Sequence, residues 1–439
     1  MITVDTVAAA PVPPIPAHGL LTLLIQIAAL LISATALGGL AKWLGAPRIV
    51  GELLAGVLVG PSILGNLAPA VEKWLFPPQV EQVHMLDAVG QVGLLLLVGI
   101  AGAHLDVRAI RDGAARAAKV SLGGLIVPLA CGIGVGLLVH PPLRPEGTSP
   151  IVFALFIGIA VCVSAIPVIA KTLMELDLTR HRVGQLILIA GAIDDAVAWL
   201  LLAVVSAAAV NGLQLFSVLG SIGASIGVLA ATMLIGRPVV GALMRRTDRS
   251  GDTGSVVAVA ATLMIAGAVG TQAVGLEAFF GTLIIGVLIG SSGIDMSKLT
   301  PLKTIVMSVL APIYFAAAGL RMDLSTLVSA PVLLTAVAIL AVAIGGKFCG
   351  AYLGGRWSGL DRREAMAVGV GMNARGVVEV VIAMTGLRLG VLDTPAYTVL
   401  ILVAIVTSVM APPLLRRVAA PAPEPRTDGA AVLVGSPAW

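Results

Sequence analysis

The sequence predicts an all-α integral membrane protein of thirteen transmembrane helices, built as an inverted repeat, and three observations carry that prediction. Of 439 residues, 58% are apolar and only 11% charged, whereas a soluble domain carries about 25% charged residues. Thirteen apolar stretches follow one another, each near the length needed to cross a bilayer core. The basic residues then divide by loop. Numbered from an outside N-terminus, one set of alternate loops holds 21 of the 27 Lys and Arg, and the other set holds only Lys73, Arg144, Arg321 and Arg388. Lys347 and Arg375 lie inside spans. A missed or extra span would scramble this division, so it supports an outside N-terminus and a cytoplasmic C-terminus.

In chain order, Met1–His18 is Pro/Ala-rich, has no Lys or Arg, and lacks the charged start of a signal peptide. The spans are expected at Gly19–Leu44, Val50–Leu67, Leu86–Leu105, Ala117–His140, Ile151–Met174, Val183–Val210 and Leu213–Gly236. They continue at Gly254–Gly275, Leu276–Ser291, Leu302–Gly319, Leu327–Gly354, Ala365–Gly386 and Tyr397–Leu415. The 51 glycines suit closely packed membrane helices, since small residues let backbones approach. Cys131, Cys162 and Cys349 sit in apolar stretches without CxxC or Cys/His clusters, which argues against a disulfide framework or a resident metal. There is no GxxxxGK[ST] loop and no GxGxxG after a strand. The expectation is therefore a transporter driven by an ion gradient, not an enzyme, with no cofactor, no nucleotide-binding domain and no nucleic-acid partner.

The sixth span is the centre of the chain. Its stretch LILIAGAIDDAVAWLLLAVV (Leu186–Val205) carries Asp194 and Asp195 side by side near the middle. A charge at that depth costs roughly 2.5–3.5 kcal/mol on insertion scales and marks a functional residue by default. Adjacent helical residues point about 100° apart. The two carboxylates therefore face different neighbours, which suggests two jobs; the plain alternative is a bond across to another helix.

Two further spans are interrupted. Ile151–Met174 contains VCVSAIPVIAK, with Ser164 and Pro167 at mid-depth. Proline removes a backbone donor, and carbonyls freed this way can hold a cation, although a simple kink fits Pro167 equally well. Ala365–Gly386 contains GVGMNARGVVEVV, which places Asn373, Arg375, Gly376 and Glu379 in an otherwise apolar span. Each interrupted span is the second of three consecutive ones, those starting near Ala117 and near Leu327. Paired breaks at corresponding places point to an inverted-repeat transporter with a site at the membrane midplane. Lys347, in AVAIGGKFCGAYLGG, either snorkels to the interface or neutralises one member of the aspartate pair. Glu52, Glu277 and His104 lie near span ends and read as interfacial or packing groups.

These residues resemble the cation:proton antiporter-2 family of monovalent cation/proton antiporters. The resemblance rests on APRIVGELLAGVLVGPSILG (Ala46–Gly65), VGLLLLVGIAGAHLDVRAIR, VSAIPVIAKTLMEL, GAIDDAVAWLLLAV, LEAFFGTLIIGVLIG and PIYFAAAGLRMDL, in that order, and covers nearly all of Gly19–Leu415. It implies a homodimer in the membrane, exchanging Na+ or K+ for H+ across a bacterial plasma membrane.

 Its protomer would have a dimerisation domain (19–105 and 237–325), a linking helix (211–236) and a six-helix ion-transport core (106–210 and 326–417), with 1–18 outside and a disordered tail, 418–439, in the cytoplasm. Two broken helices would cross in the core beside the aspartates. Carried over by position, Asp195 would bind the cation and the proton in competition, Asp194 would pair with Lys347, and Ser164 would help line the site. The departure is the arginine of NARGVVE, which looks more like the subgroup that includes plant cation/proton exchangers. Arg375 could pair with Glu379 one turn along or with Asp194, so the partner of Asp194 stays open between Lys347 and Arg375. Two other classes compete: a gated monovalent cation channel, with the aspartates as selectivity element, and a sodium-coupled symporter of an organic anion.

Overall fold

The computed structural model describes residues 15–104, 107–138, 143–165, 181–211 and 232–419, with isolated positions between 166 and 180 and between 212 and 231. Pro167, most of the expected linking helix and the tail from 420 onward lie outside the described residues. Among the described residues there is no strand, and nine helices are long and apolar enough to cross a membrane.

The first part of the chain forms α1 (Ala17–Trp43), α2 (Arg48–Val59) and α3 (Val80–Ala103). Then come α4 (Val107–Leu138), α5 (Pro150–Cys162) and α6 (Arg182–Asn211). Between the spans expected to end at Gly236 and resume at Gly254 lies a further helix, α7 (Arg237–Arg249). Its Arg245, Arg246 and Arg249 break any apolar run, so it carries no span signal, yet Val240 and Met244 are buried on one face. Next are α8 (Thr253–Ala273) and α9 (Ala278–Gly290). Helix α10 (Thr300–Ile305) runs through a π-helical turn, Val306–Leu310, into α11 (Ala311–Leu320). The chain closes with α12 (Ala330–Trp357), α13 (Arg362–Gly371), α14 (Val377–Arg388) and α15 (Thr394–Ala419).

The helices pack as two groups. Group A is α1, α2, α3, α8, α9 and α11, and group B is α4, α5, α6, α12, α13, α14 and α15. Within group A the chain repeats itself: GELLAGVLVG (51–60) in α2 answers GTLIIGVLIG (281–290) in α9. Gly45 and Gly275, just before these stretches, both have φ +78°, the left-handed turn that ends a helix cleanly. A Cβ on Gly56 would lie 1.9 Å from the Ala316 carbonyl oxygen, and one on Gly286 would lie 2.1 Å from that of Gly99. Only hydrogen fits there, so α2 packs backbone to backbone on α11 and α9 on α3. At the start of α8, the Ser255 hydroxyl and the amides of Ser255 and Gly254 bond the Asp252 side chain and hold its carboxyl below the usual range.

The apolar interior divides unevenly. One cluster joins group A to the half of group B that holds Phe153, Phe156, Trp199, Val380 and Leu400. A second cluster is confined to the other half of group B, with Leu186, Ile187, Ala351, Val368 and Leu415. That second half lies toward the arginine-rich helix ends marked by Arg182, Arg356, Arg362 and Arg416, called here the basic end.

Candidate functional site

Two helix breaks build the site. Helix α5 ends at Cys162 and the backbone runs extended from Val163. Helix α13 ends at Gly371, and α14 begins after Gly376. The two breaks are tied together where the Ala165 amide donates to the Ala374 carbonyl at 2.9 Å. A helix that stops inside the protein leaves its last carbonyls without intrahelical partners, and two buried cations meet those of α5. The Arg375 guanidinium donates to the carbonyls of Ala160, at 2.8 Å, and Val161, and the Lys347 ammonium donates to that of Cys162 at 2.5 Å. Positive charge at a helix C-terminus also complements its dipole. Arg375 reaches α12 as well, donating to the Ala343 carbonyl at 2.8 Å. The Asn373 amide donates to Ile344 at 2.9 Å.

The aspartates of α6 lie beside these two breaks and part company. Asp194 is fully buried. Its Oδ2 takes the Lys347 ammonium at 2.5 Å, and its Oδ1 accepts the Ser121 hydroxyl at 2.5 Å. Ser164 Oγ stands 3.1 Å from Asp194 Oδ2 and 2.8 Å from the Met372 carbonyl oxygen, so its one proton can serve either. Asp195, next along the helix, retains 8% of its surface. Its Cβ direction differs from that of Asp194 by the helical turn of about 100°.

Each residue singled out in the sequence can be located except Pro167. Lys347 is fully buried and bonded to Asp194, so it does not snorkel. Arg375 does not join that pair: its ion contact is Glu379, Nη1 to Oε1 at 3.7 Å, with both side chains fully buried. Gly376 is the residue before α14, and Glu379 lies in that helix's first turn. Sequence reasoning missed Ser121 on α4 and Ser408 on α15, whose hydroxyl donates to the Arg375 carbonyl. A serine in an apolar span usually bonds its own helix, so neither carried a signal.

Arg375 therefore holds four groups at once. Arg375→Ala leaves three carbonyls and the Glu379 carboxylate uncompensated in a dry interior, and should cost about 3–5 kcal/mol. The check is the thermal midpoint of the purified protein in detergent. A midpoint equal to that of the parent would mean the carbonyls find other partners.

Comparison with known proteins agrees with this architecture. The family model described as "Sodium/hydrogen exchanger, transmembrane" matches residues 28–420. The chain is 30% identical over 405 residues to the Na(+)/H(+) antiporter NhaS4 of Synechocystis sp., covering 91% of this chain and 97% of that protein. It is 28% identical over 407 residues to Cation/H(+) antiporter 17 of Arabidopsis thaliana, covering 92% of this chain but only 49% of the plant protein, so it spans about half that relative's length. Among solved structures, the sodium proton antiporter MjNhaP1 from Methanocaldococcus jannaschii superposes with a TM-score of 0.66 at 16% identity, covering 91% of this chain and 96% of that one. The chain thus belongs to the sodium/hydrogen exchanger family of monovalent cation:proton antiporters and is a multi-pass integral membrane protein.

Proposed function

We propose that the protein exchanges Na+ or K+ for H+ by alternating access, with cation and proton competing for Asp195. The observation that carries this is the division of labour on α6: Asp194 is committed to Lys347 and Ser121, while its neighbour keeps 8% of its surface next to the end of α5 and the break between α13 and α14. A carboxylate withdrawn from water favours a bound proton or a bound cation over the bare anion. One site can hold either, not both. If group B moves against group A with its ligand, whichever ion is loaded crosses, and the empty anionic form moves reluctantly. Exchange then needs no ATP.

In this reading group B is the ion-transport core, group A carries the dimer contact of a homodimer, and the chain spans the membrane thirteen times. The basic end faces the cytoplasm of a bacterium, a reading that the loop charges support. The test is proton flux in proteoliposomes given Na+, K+ or Li+ in turn. Proton movement opposite in direction to the cation supports exchange, and proton movement in the same direction contradicts it. Cation flux without proton coupling would indicate a channel, and sodium uptake dependent on an organic anion would indicate a symporter.

A further inference from the structure

Among the described residues, three polar contacts join the two helix groups away from the basic end. Arg388, in the last turn of α14, reaches Glu277, the N-cap residue of α9, at 2.6 Å. The Tyr397 hydroxyl of α15 donates to the Ala318 carbonyl of α11 at 2.6 Å, and the Asp323 amide beyond α11 donates to Thr398 Oγ1 at 3.0 Å. Trp199, one turn past Asp195, packs on Phe279 of α9 with ring centres 4.8 Å apart. The apolar interior agrees, since the cluster shared by both groups takes in this half of group B and the basic half keeps its own.

Arg388 also borders a cavity of about 110 Å³, lined from group A by Asp87, Phe279, Tyr314 and Arg321 and from group B by Thr385 and Arg388. Its group A wall is fixed by an Asp87–Arg321 ion pair at 2.5 Å. Its group B wall is α14, the half-helix that starts at the break beside the site. Movement of the site must therefore carry Arg388 with it, away from a glutamate anchored on the other group.

We propose that the Arg388–Glu277 ion pair is the latch of the outer mouth, closing this cavity and parting whenever the site opens to that side. The proposal rests on the antiport reading with group B as the moving part. The Arg388 side chain is 49% exposed and that of Glu277 11%, and partly exposed ion pairs bias an equilibrium by a few-fold without freezing it. A contact that must break in every cycle needs that modest strength.

The test uses the full chain in right-side-out vesicles, with the exposed Cys131 and Cys349 replaced by Ser and Thr385→Cys introduced as a reporter in the cavity. A membrane-impermeant maleimide is added outside and the labelling rate is read. Labelling should be slow with the pair intact and about fivefold faster with Glu277→Gln or Arg388→Gln. The reversed pair, Glu277→Arg with Arg388→Glu, should return it to the slow rate, and Arg388→Lys should stay close to it. Equal rates in all variants would overturn the latch, as would a reversed pair that labels as fast as the single variants. If one Gln variant misfolds, the other and the reversed pair decide. Cation-driven proton flux in the same vesicles separates the two ideas: exchange without a labelling contrast sinks the latch alone, and a contrast without exchange sinks the antiport reading alone.

Discussion

Asp195→Asn should reduce cation-driven proton movement in proteoliposomes to the level of empty liposomes, while the protein still folds and reconstitutes. Asparagine keeps the shape of the side chain but can neither take up a proton at neutral pH nor neutralise a monovalent cation. Because Asp195 is the more exposed of the two aspartates, the change leaves no opposite charge stranded in the dry contact around Lys347. The expected signature is therefore a complete loss of exchange with a thermal midpoint close to that of the parent. Robust exchange by the variant would remove Asp195 from its assigned role.

Asp194→Asn should show the opposite balance, with less damage to transport and more to stability. Its carboxylate faces the Lys347 ammonium at 2.5 Å, with both side chains fully buried. Removing one member of such a pair leaves a charge that water cannot reach, at a cost of about 3–5 kcal/mol. Thermal unfolding in detergent reads this as a lower midpoint. Removing both charges together, as in Asp194→Asn with Lys347→Met, should recover part of the loss, because a neutral pair of similar volume costs far less than a lone buried ion. Recovery is expected to be partial, since Lys347 also bonds the Cys162 carbonyl at the end of α5. If Asp194→Asn unfolded at the same temperature as the parent, the buried pair would not be holding α6 to α12.

How far the sequence could be read depends on the length scale of each signal. Apolar runs and loop charges report position along the chain, so the order of helices from α1 to α15 was largely legible, including the turn at Gly275 between α8 and α9. The breaks were legible because Ser164 and Asn373–Glu379 are polar where lipid-depth helices should be apolar. The split between Asp194 and Asp195 follows from the rotation of about 100° between adjacent helical residues. What could not be read was pairing across space. Lys347 is 153 residues from Asp194 and Arg375 about as plausible a partner by charge alone, and only the packing of α12 against α4 and α5 brings the lysine in.

The same limit hid the contacts of uncharged groups. Ser121 and Ser408 look like ordinary serines in apolar helices, yet one bonds Asp194 and the other bonds the Arg375 backbone. Arg375 drew attention as a second cation, but its main partners are carbonyls, which every residue carries and no sequence marks. Glu277 read as an interfacial group, and its bond to Arg388, 111 residues away, emerges only when α14 is laid beside α9.

The most direct measurement of competition at Asp195 is proton release on cation binding, followed with a pH indicator in weakly buffered detergent solution. The account predicts that adding Na+ or K+ to the purified parent expels protons, and that Asp195→Asn expels none. Cation binding by the parent with no proton expelled, or equal release by the Asp195→Asn variant, would contradict it.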